Sequence, residues 1–121
     1  MMLFNKKTKA AHLSRGEEAE EQAHRYLLDA GLQPVARNFR CKQGELDLIM
    51  REARTLVIIE VRYRQSDRYG SAEESVTAAK QAKLIAATQL YLATHKTDCP
   101  IRFDVVAISG DGKLNWIKNA F

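Results

Sequence analysis

Two neighbouring stretches, residues 44–50 and 56–62, constrain the fold of this chain more than any other part of the sequence. The first alternates, with Leu46 on one side and Ile49 on the other, which is typical of a β-strand. The second is rich in β-branched residues and almost continuously apolar, as in a strand covered on both faces. The polar segment 51–55 has the length of a hairpin connection. We therefore predict two adjacent strands of one sheet.

Charged residues inside these strands need a chemical reason. Glu60 lies in the most apolar run of the chain, and a buried carboxylate is costly unless it is paired or binds a metal. Glu60 and Arg62 are two residues apart, so they share a face with their Cα atoms roughly 6.5 Å apart. If the strands pair with Asp47 near Glu60, the two carboxylates and the cation form a patch suited to a hard divalent cation. The alternative is a Glu60–Arg62 ion pair at a sheet edge, with Asp47 a solvated residue; three such residues in adjacent strands favour the metal site.

The same residues carry a family resemblance. The tetrapeptides Gly-Glu-Leu-Asp at 44–47 and Ile-Glu-Val-Arg at 59–62 resemble the D…ExK half of the PD-(D/E)xK nuclease superfamily. From about Arg15 to Trp116, the chain more closely resembles the YraN-type family of small bacterial proteins, predicted endonucleases akin to archaeal Holliday-junction resolvases. The resemblance implies a restriction-endonuclease-like core, DNA as substrate, Mg²⁺ or Mn²⁺ as cofactor, and a role in DNA repair or recombination.

Site residues follow from this resemblance position by position. Asp47 and Glu60 match the metal-binding acids, and Glu20 matches the family's helix glutamate, a further ligand either directly or through water. Lys80 aligns with the family's helix lysine. Arg62 stands where the motif has lysine, and arginine effectively never deprotonates, so it cannot act as a base. Arg62 can still hold a phosphate or orient a water molecule, so the residue at this position puts turnover in question.

The first helix is predicted between Ser14 and Gly31. Ser14 suits the N-cap with Glu17 at the capping-box position, and Gly31 suits the residue after the helix. At about 100° per residue, Glu20 falls at the edge of the apolar stripe and alone among four nearby glutamates can lean towards the sheet. The predicted buried stripe comprises Ala19, Ala23, Tyr26, Leu27 and Ala30.

Further elements complete an α-β-β-β-α-β-β order. We predict strands at 33–41, 101–109 and 114–117, and a second helix from Ala72 to about Lys96. That order indicates an α/β fold with a mixed sheet flanked by helices. The buried stripe predicted for the second helix comprises Val76, Ala79, Ala86, Ala87, Leu90 and Tyr91.

Two lysines, Lys80 and Lys83, fall within the stripe of the second helix by angle. Lysines on a buried side usually extend to a rim, which here would be the active site. Either lysine could then supply the ammonium that Arg62 lacks. We favour Lys80, because it lies closer to the flank of the stripe.

Charge is concentrated at the N-terminus. The net charge is +4, and Lys6, Lys7, Lys9 and Arg15 account for all of it, because residues 1–15 contain no acid and the remaining 15 basic and 15 acidic residues cancel. The chain therefore divides into a basic arm and a domain without broad positive charge. A domain of this kind is not a broadly basic nucleic-acid binder.

We place the boundary so that residues 1–14 form a basic flexible arm and residues 15–121 a single nuclease-like domain. The arm has too few apolar residues for a signal peptide, and no apolar run is long enough to span a membrane. We therefore expect a cytoplasmic protein without membrane contact. Cys41 and Cys99 are isolated, which gives no support to a metal finger or a disulfide framework.

Nucleic-acid contacts are predicted for basic and aromatic residues in the arm, in the polar loop after Arg62 and on the second helix. They are Lys6, Lys7, Lys9, Arg64, Arg68, Tyr69 and Lys83. A merely solvated loop is the alternative for the loop residues. Together these features predict a metal-dependent DNA endonuclease. The alternatives are a non-catalytic nucleic-acid-binding or adaptor module, and a structural subunit whose charged residues pair with a partner chain; a homodimer is left open.

Overall fold

A five-stranded mixed sheet carries one helix on each face in the computed structural model, which describes residues 14–65 and 75–121. The order α-β-β-β-α-β-β and the α/β class confirm the prediction from sequence. The elements are α1 (Arg15–Asp29), β1 (Gln33–Cys41), β2 (Gly44–Glu52), β3 (Thr55–Arg64), α2 (Ala78–Thr94), β4 (Ile101–Ser109) and β5 (Leu114–Ile117). Neither helix in the described parts of the chain is long and apolar enough to cross a membrane.

The sheet has the strand order β1-β2-β3-β4-β5. Strands β3 and β4 are parallel and joined through α2, whereas the other neighbours are antiparallel. β3 is therefore the central strand, with Val57 and Ile59 in the core under α1 and Leu56 and Ile58 in the core under α2. Coverage on both faces explains why its sequence is apolar almost without a break.

The ends of α1 confirm the predicted caps. Ser14 Oγ accepts a hydrogen bond from the Glu17 N–H and the Glu17 side chain accepts one from the Ser14 N–H. Gly31 has φ 101°, a left-handed conformation that ends a helix with little strain when the residue is glycine. One part of the predicted stripe is wrong: Tyr26 is 46% exposed, and Ala30 is also exposed. Tyr26 instead packs edge-on against Trp116.

Helix α2 begins later than predicted. Residues 75–77 precede the helix, and Thr77 caps it by accepting a hydrogen bond from the Lys80 N–H at 3.2 Å; residues 72–74 lie outside the described part. The buried stripe is also rotated, to Leu84, Ala87, Thr88 and Tyr91.

The predicted stripe of α2 was wrong at three positions, because Ala79, Lys83 and Leu90 are exposed. The sequence pattern did not reveal the buried stripe of α2, because this stripe contains a polar residue, Thr88. Its hydroxyl donates to the Leu84 carbonyl at 2.7 Å, which satisfies the group within the helix and allows it to be buried.

Strands β1 and β2 do not alternate regularly. Asn38 in β1 has φ 54°, a conformation that Asn tolerates better than most residues. On either side of it, Ala36 and Phe39 both pack against the core under α2, and so do Leu46 and Ile49 in β2. The members of each pair are three residues apart, whereas regular alternation would place them on opposite faces. The prediction that Leu46 and Ile49 lie on opposite sides was therefore wrong, since simple alternation fails at this irregularity.

A buried ion-pair network joins the ends of three strands. Asp104 is fully buried and forms two hydrogen bonds, both 2.9 Å long, with the Arg102 guanidinium. It also accepts from Trp116 Nε1 at 2.9 Å and from the Asn119 N–H at 3.0 Å. Arg102 reaches Glu52 at 2.6 Å. These bonds satisfy the carboxylate completely, which gives Asp104 a structural rather than a chemical role.

Candidate active site

The two candidate metal-binding acids meet where β2 and β3 stop pairing. The paired residues of β2 and β3 extend from Glu52 and Thr55 at the turn to Leu48 and Ile59 at the far end. Asp47 is the next residue of β2 beyond this last pair. Beyond that point the Val61 N–H donates to Asp47 Oδ2 at 2.9 Å. The Asp47 side chain thus accepts a hydrogen bond that a backbone carbonyl would accept in a continuous sheet. Because Val61 directly follows Glu60, this bond holds Asp47 beside Glu60.

Both carboxyl groups are buried, with Asp47 9% and Glu60 3% exposed. Burial raises the pKa of Asp47 to about 9, assisted by its hydrogen bond to Glu60 and by the negative charge of Glu60, whereas the Val61 N–H lowers it. At neutral pH this raised pKa favours the protonated form of Asp47. Two acids forced into one buried space are a frequent feature of functional sites, because a cation can replace the proton.

Two basic side chains approach Glu60 from the α2 side of the sheet. Lys80 Nζ lies 3.4 Å and Arg62 Nη1 3.5 Å from Glu60 Oε2. Arg62 Nε also donates to Ser75 Oγ at 2.8 Å. The Glu60–Arg62 pair considered from the sequence therefore exists, but it lies on the central strand beside a second carboxyl group and not at a sheet edge.

Glu20 approaches from the opposite side, on α1. It is half-buried, and burial raises its pKa, with further increases from the charges of Glu45 and Glu60 and a decrease from Arg37. The charge of Glu20 also raises the pKa of Asp47. Among the described residues Glu20 makes no hydrogen bond to either acid, so its link to the pair is electrostatic.

The donor atoms fit a hard divalent cation held mainly by water and two carboxylates. Mg²⁺ usually binds through one or two carboxylates, retained waters and a substrate phosphate. Within the described ranges, 14–65 and 75–121, no three His, Cys, Asp or Glu side chains are gathered as a ligand set. Asp47 and Glu60 are therefore the candidates for direct contact, and Glu20 the candidate for contact through water.

The other predicted contact residues are dispersed. Arg64 ends β3 and is half-buried, and Lys83 is exposed on α2. The remaining predicted residues, Lys6, Lys7, Lys9, Arg68 and Tyr69, lie outside the described part of the chain. Sequence reasoning missed Ser75, because nothing in its local sequence signals a contact with Arg62.

A cavity of about 500 Å³ lies apart from the carboxyl pair, between the start of α1 and the ends of β3 and β4. Arg15, Glu18 and Tyr63 line it, and Arg15 Nη1 donates to the Tyr63 hydroxyl at 3.0 Å. Neither Asp47 nor Glu60 contributes to its wall, so the cavity is distinct from the candidate active site.

A model described as "Uncharacterised protein family UPF0102" matches residues 19–108. The chain belongs to the UPF0102 family. UPF0102 protein NE0719 of Nitrosomonas europaea is 49% identical over 110 residues, which cover 89% of this chain and 93% of the relative. UPF0102 proteins of Stutzerimonas stutzeri and Ralstonia nicotianae (RSc3265) are 50% and 51% identical, covering 89% and 88% of this chain and 94% and 85% of theirs. Membership in UPF0102 confirms the YraN-type resemblance.

Proposed function

We propose that this UPF0102 protein is a metal-dependent DNA endonuclease that hydrolyses phosphodiester bonds. The observation that carries the proposal is the buried Asp47–Glu60 pair at the divergence of two strands, with two basic side chains on the same carboxylate. A purely structural ion pair needs one acid and one base, whereas here a second acid is buried against the first, which is unfavourable unless a proton or a metal ion offsets the second charge.

Each residue has a distinct part in this proposal. Asp47 and Glu60 hold the metal, and the Val61 N–H fixes the orientation of Asp47. When bound, Mg²⁺ or Mn²⁺ would polarise the scissile phosphate and lower the pKa of the attacking water. Glu20 accepts a hydrogen bond from a water in the site. These roles require Asp47 to lose the proton it retains without metal.

The basic residues act on the phosphate. Ser75 and Glu60 occupy Nε and Nη1 of Arg62, which leaves Nη2 without a partner among the described residues and suited to a phosphate oxygen. Lys80 supplies the compact ammonium that orients a water or stabilises the developing negative charge. This division assigns phosphate binding to Arg62 and the ammonium role to Lys80.

The substrate class comes from the family resemblance and is DNA, in a branched or otherwise structured form. Participation in DNA repair or recombination, a cytoplasmic location and a homodimer stay predictions of the same kind. The arginine at position 62 favours one competing function, a non-catalytic nucleic-acid-binding or adaptor module that retains the nuclease fold.

Metal binding separates the two functions. For the endonuclease, Mn²⁺ raises the melting temperature of the wild type, because a ligand that binds only the folded state stabilises it. Asp47→Asn and Glu60→Gln each replace a carboxyl group by an amide that cannot serve as an anionic metal ligand, with little change of shape, and should abolish the shift while leaving the fold intact. Glu18→Gln, an exposed α1 substitution, is the control and should keep the full shift. An equal Mn²⁺ shift in wild type and Asp47→Asn would contradict the proposal.

A further inference from the structure

The two helices that cover the sheet carry opposite charge. Helix α1 contains five acidic and two basic residues, a net charge of −3, whereas α2 contains two lysines and no acid, a net charge of +2. The net charge of the chain does not reveal this difference between the helices, because residues 16–121 have equal numbers of basic and acidic side chains. A polyanion is therefore attracted to the α2 side and repelled from the α1 side.

The positive charge on the α2 side extends from the carboxyl pair to the β1–β2 turn. Lys80 contacts Glu60 at 3.4 Å, and Lys83 follows about 4.5 Å further along the helix axis. The start of β2, directly after this turn, touches the helix there, because a Cβ placed on Gly44 would lie 3.6 Å from the Lys83 Cβ. Lys42 lies in this turn and is exposed, as is Lys83. We call Lys80, Lys83 and Lys42 the basic strip.

We propose that the basic strip binds the sugar–phosphate backbone of the nucleic-acid strand whose scissile phosphate reaches Asp47 and Glu60. The inference rests on the proposed function and adds to it the side of approach and a contact residue, Lys42. The opposite approach is unfavourable, because α1 carries a net charge of −3, and the cavity on that side, lined by Arg15 and Glu18, lacks the carboxyl pair. Lysines act as point charges on phosphates, so these contacts are independent of base sequence.

Salt dependence of binding tests the strip without requiring cleavage. A fluorescent duplex oligonucleotide is titrated with the full-length protein in EDTA at several salt concentrations. Each lost phosphate contact should reduce the slope of log K against log salt by about 0.9, so the double variant Lys42→Ala/Lys83→Ala should lose about 1.8. Both side chains are exposed, and unchanged melting temperatures verify that the variants fold.

The matched control is Arg54→Ala. Arg54 is a single exposed cation in the β2–β3 turn, at the opposite end of β2 from Lys42, and its loss should leave the slope unchanged. If the double variant matches Arg54→Ala while the wild type binds or cleaves DNA, the strip is refuted and the proposed function is unaffected. If the wild type neither binds nor cleaves DNA, both fail together.

Discussion

Replacing Asp47 by asparagine should stabilise the metal-free protein at and above neutral pH. The folded environment raises the pKa of this carboxyl from 3.8 to about 9, so between these values the folded state retains a proton that the unfolded chain has lost. Its stabilising contribution is complete below pH 3.8 and declines as pH rises towards 9. Asparagine resembles the protonated carboxyl, because its carbonyl can accept from the Val61 N–H while its amide donates to Glu60.

The size of the effect follows from proton linkage. Within this window the contribution of Asp47 to the free energy of unfolding falls by about 1.4 kcal/mol for each pH unit. Between pH 5 and pH 8, Asp47 should account for a decline of up to about 4 kcal/mol, and Asp47→Asn removes that decline.

Urea unfolding at pH 5, 6, 7 and 8, in the presence of a chelator, measures the effect. The stability of Asp47→Asn relative to wild type should increase steadily with pH, whereas Asp98→Asn, at an exposed position, should show no such trend. A difference between Asp47→Asn and wild type that stays constant from pH 5 to pH 8 would refute the raised pKa of Asp47.

Three further predictions concern catalysis, stability and DNA affinity. Lys80→Ala should lower the cleavage rate roughly a hundredfold with metal binding retained. Arg62→Lys preserves the charge and should be tolerated or activating. Equal turnover of Lys80→Ala and wild type would refute the assignment of the ammonium role to Lys80. Asp104→Ala should lower the free energy of unfolding by about 3–5 kcal/mol, against about 0.5 kcal/mol for Asp98→Ala; urea unfolding that gives similar values would contradict the buried network. Deleting residues 1–12 should weaken DNA binding and flatten its salt dependence, and an unchanged slope would mean that the arm does not touch DNA.

The sequence predicted the elements well because their signals are local. The capping box at Ser14, the glycine after α1 and the β-branched run of β3 each act within a few residues, and all three are confirmed. From the sequence, the proximity of Asp47 and Glu60 followed only as a condition on strand pairing, and the structure meets that condition through the antiparallel register of β2 and β3 and the Val61–Asp47 bond.

The errors arose where tertiary contacts override local pattern. The stripe of α2 was misassigned because Thr88 satisfies its hydroxyl within the helix, and the alternation of β2 failed because Asn38 in the neighbouring strand is irregular. The Asp104 network and the Arg62–Ser75 bond join residues from separate segments. No periodicity in the sequence encodes such bonds.

Cleavage of DNA in the presence of Mn²⁺ is the direct measurement of the proposed endonuclease activity. The assay compares linear, flapped, forked and four-way DNA, with wild type beside Glu60→Gln and the exposed-site control Glu18→Gln. We expect Mn²⁺-dependent hydrolysis by wild type and by Glu18→Gln, and none by Glu60→Gln. Branched or structured substrates should be cleaved in preference to linear DNA. Absence of cleavage by wild type on all four substrates, or equal cleavage by wild type and Glu60→Gln, would contradict the proposed metal-dependent activity.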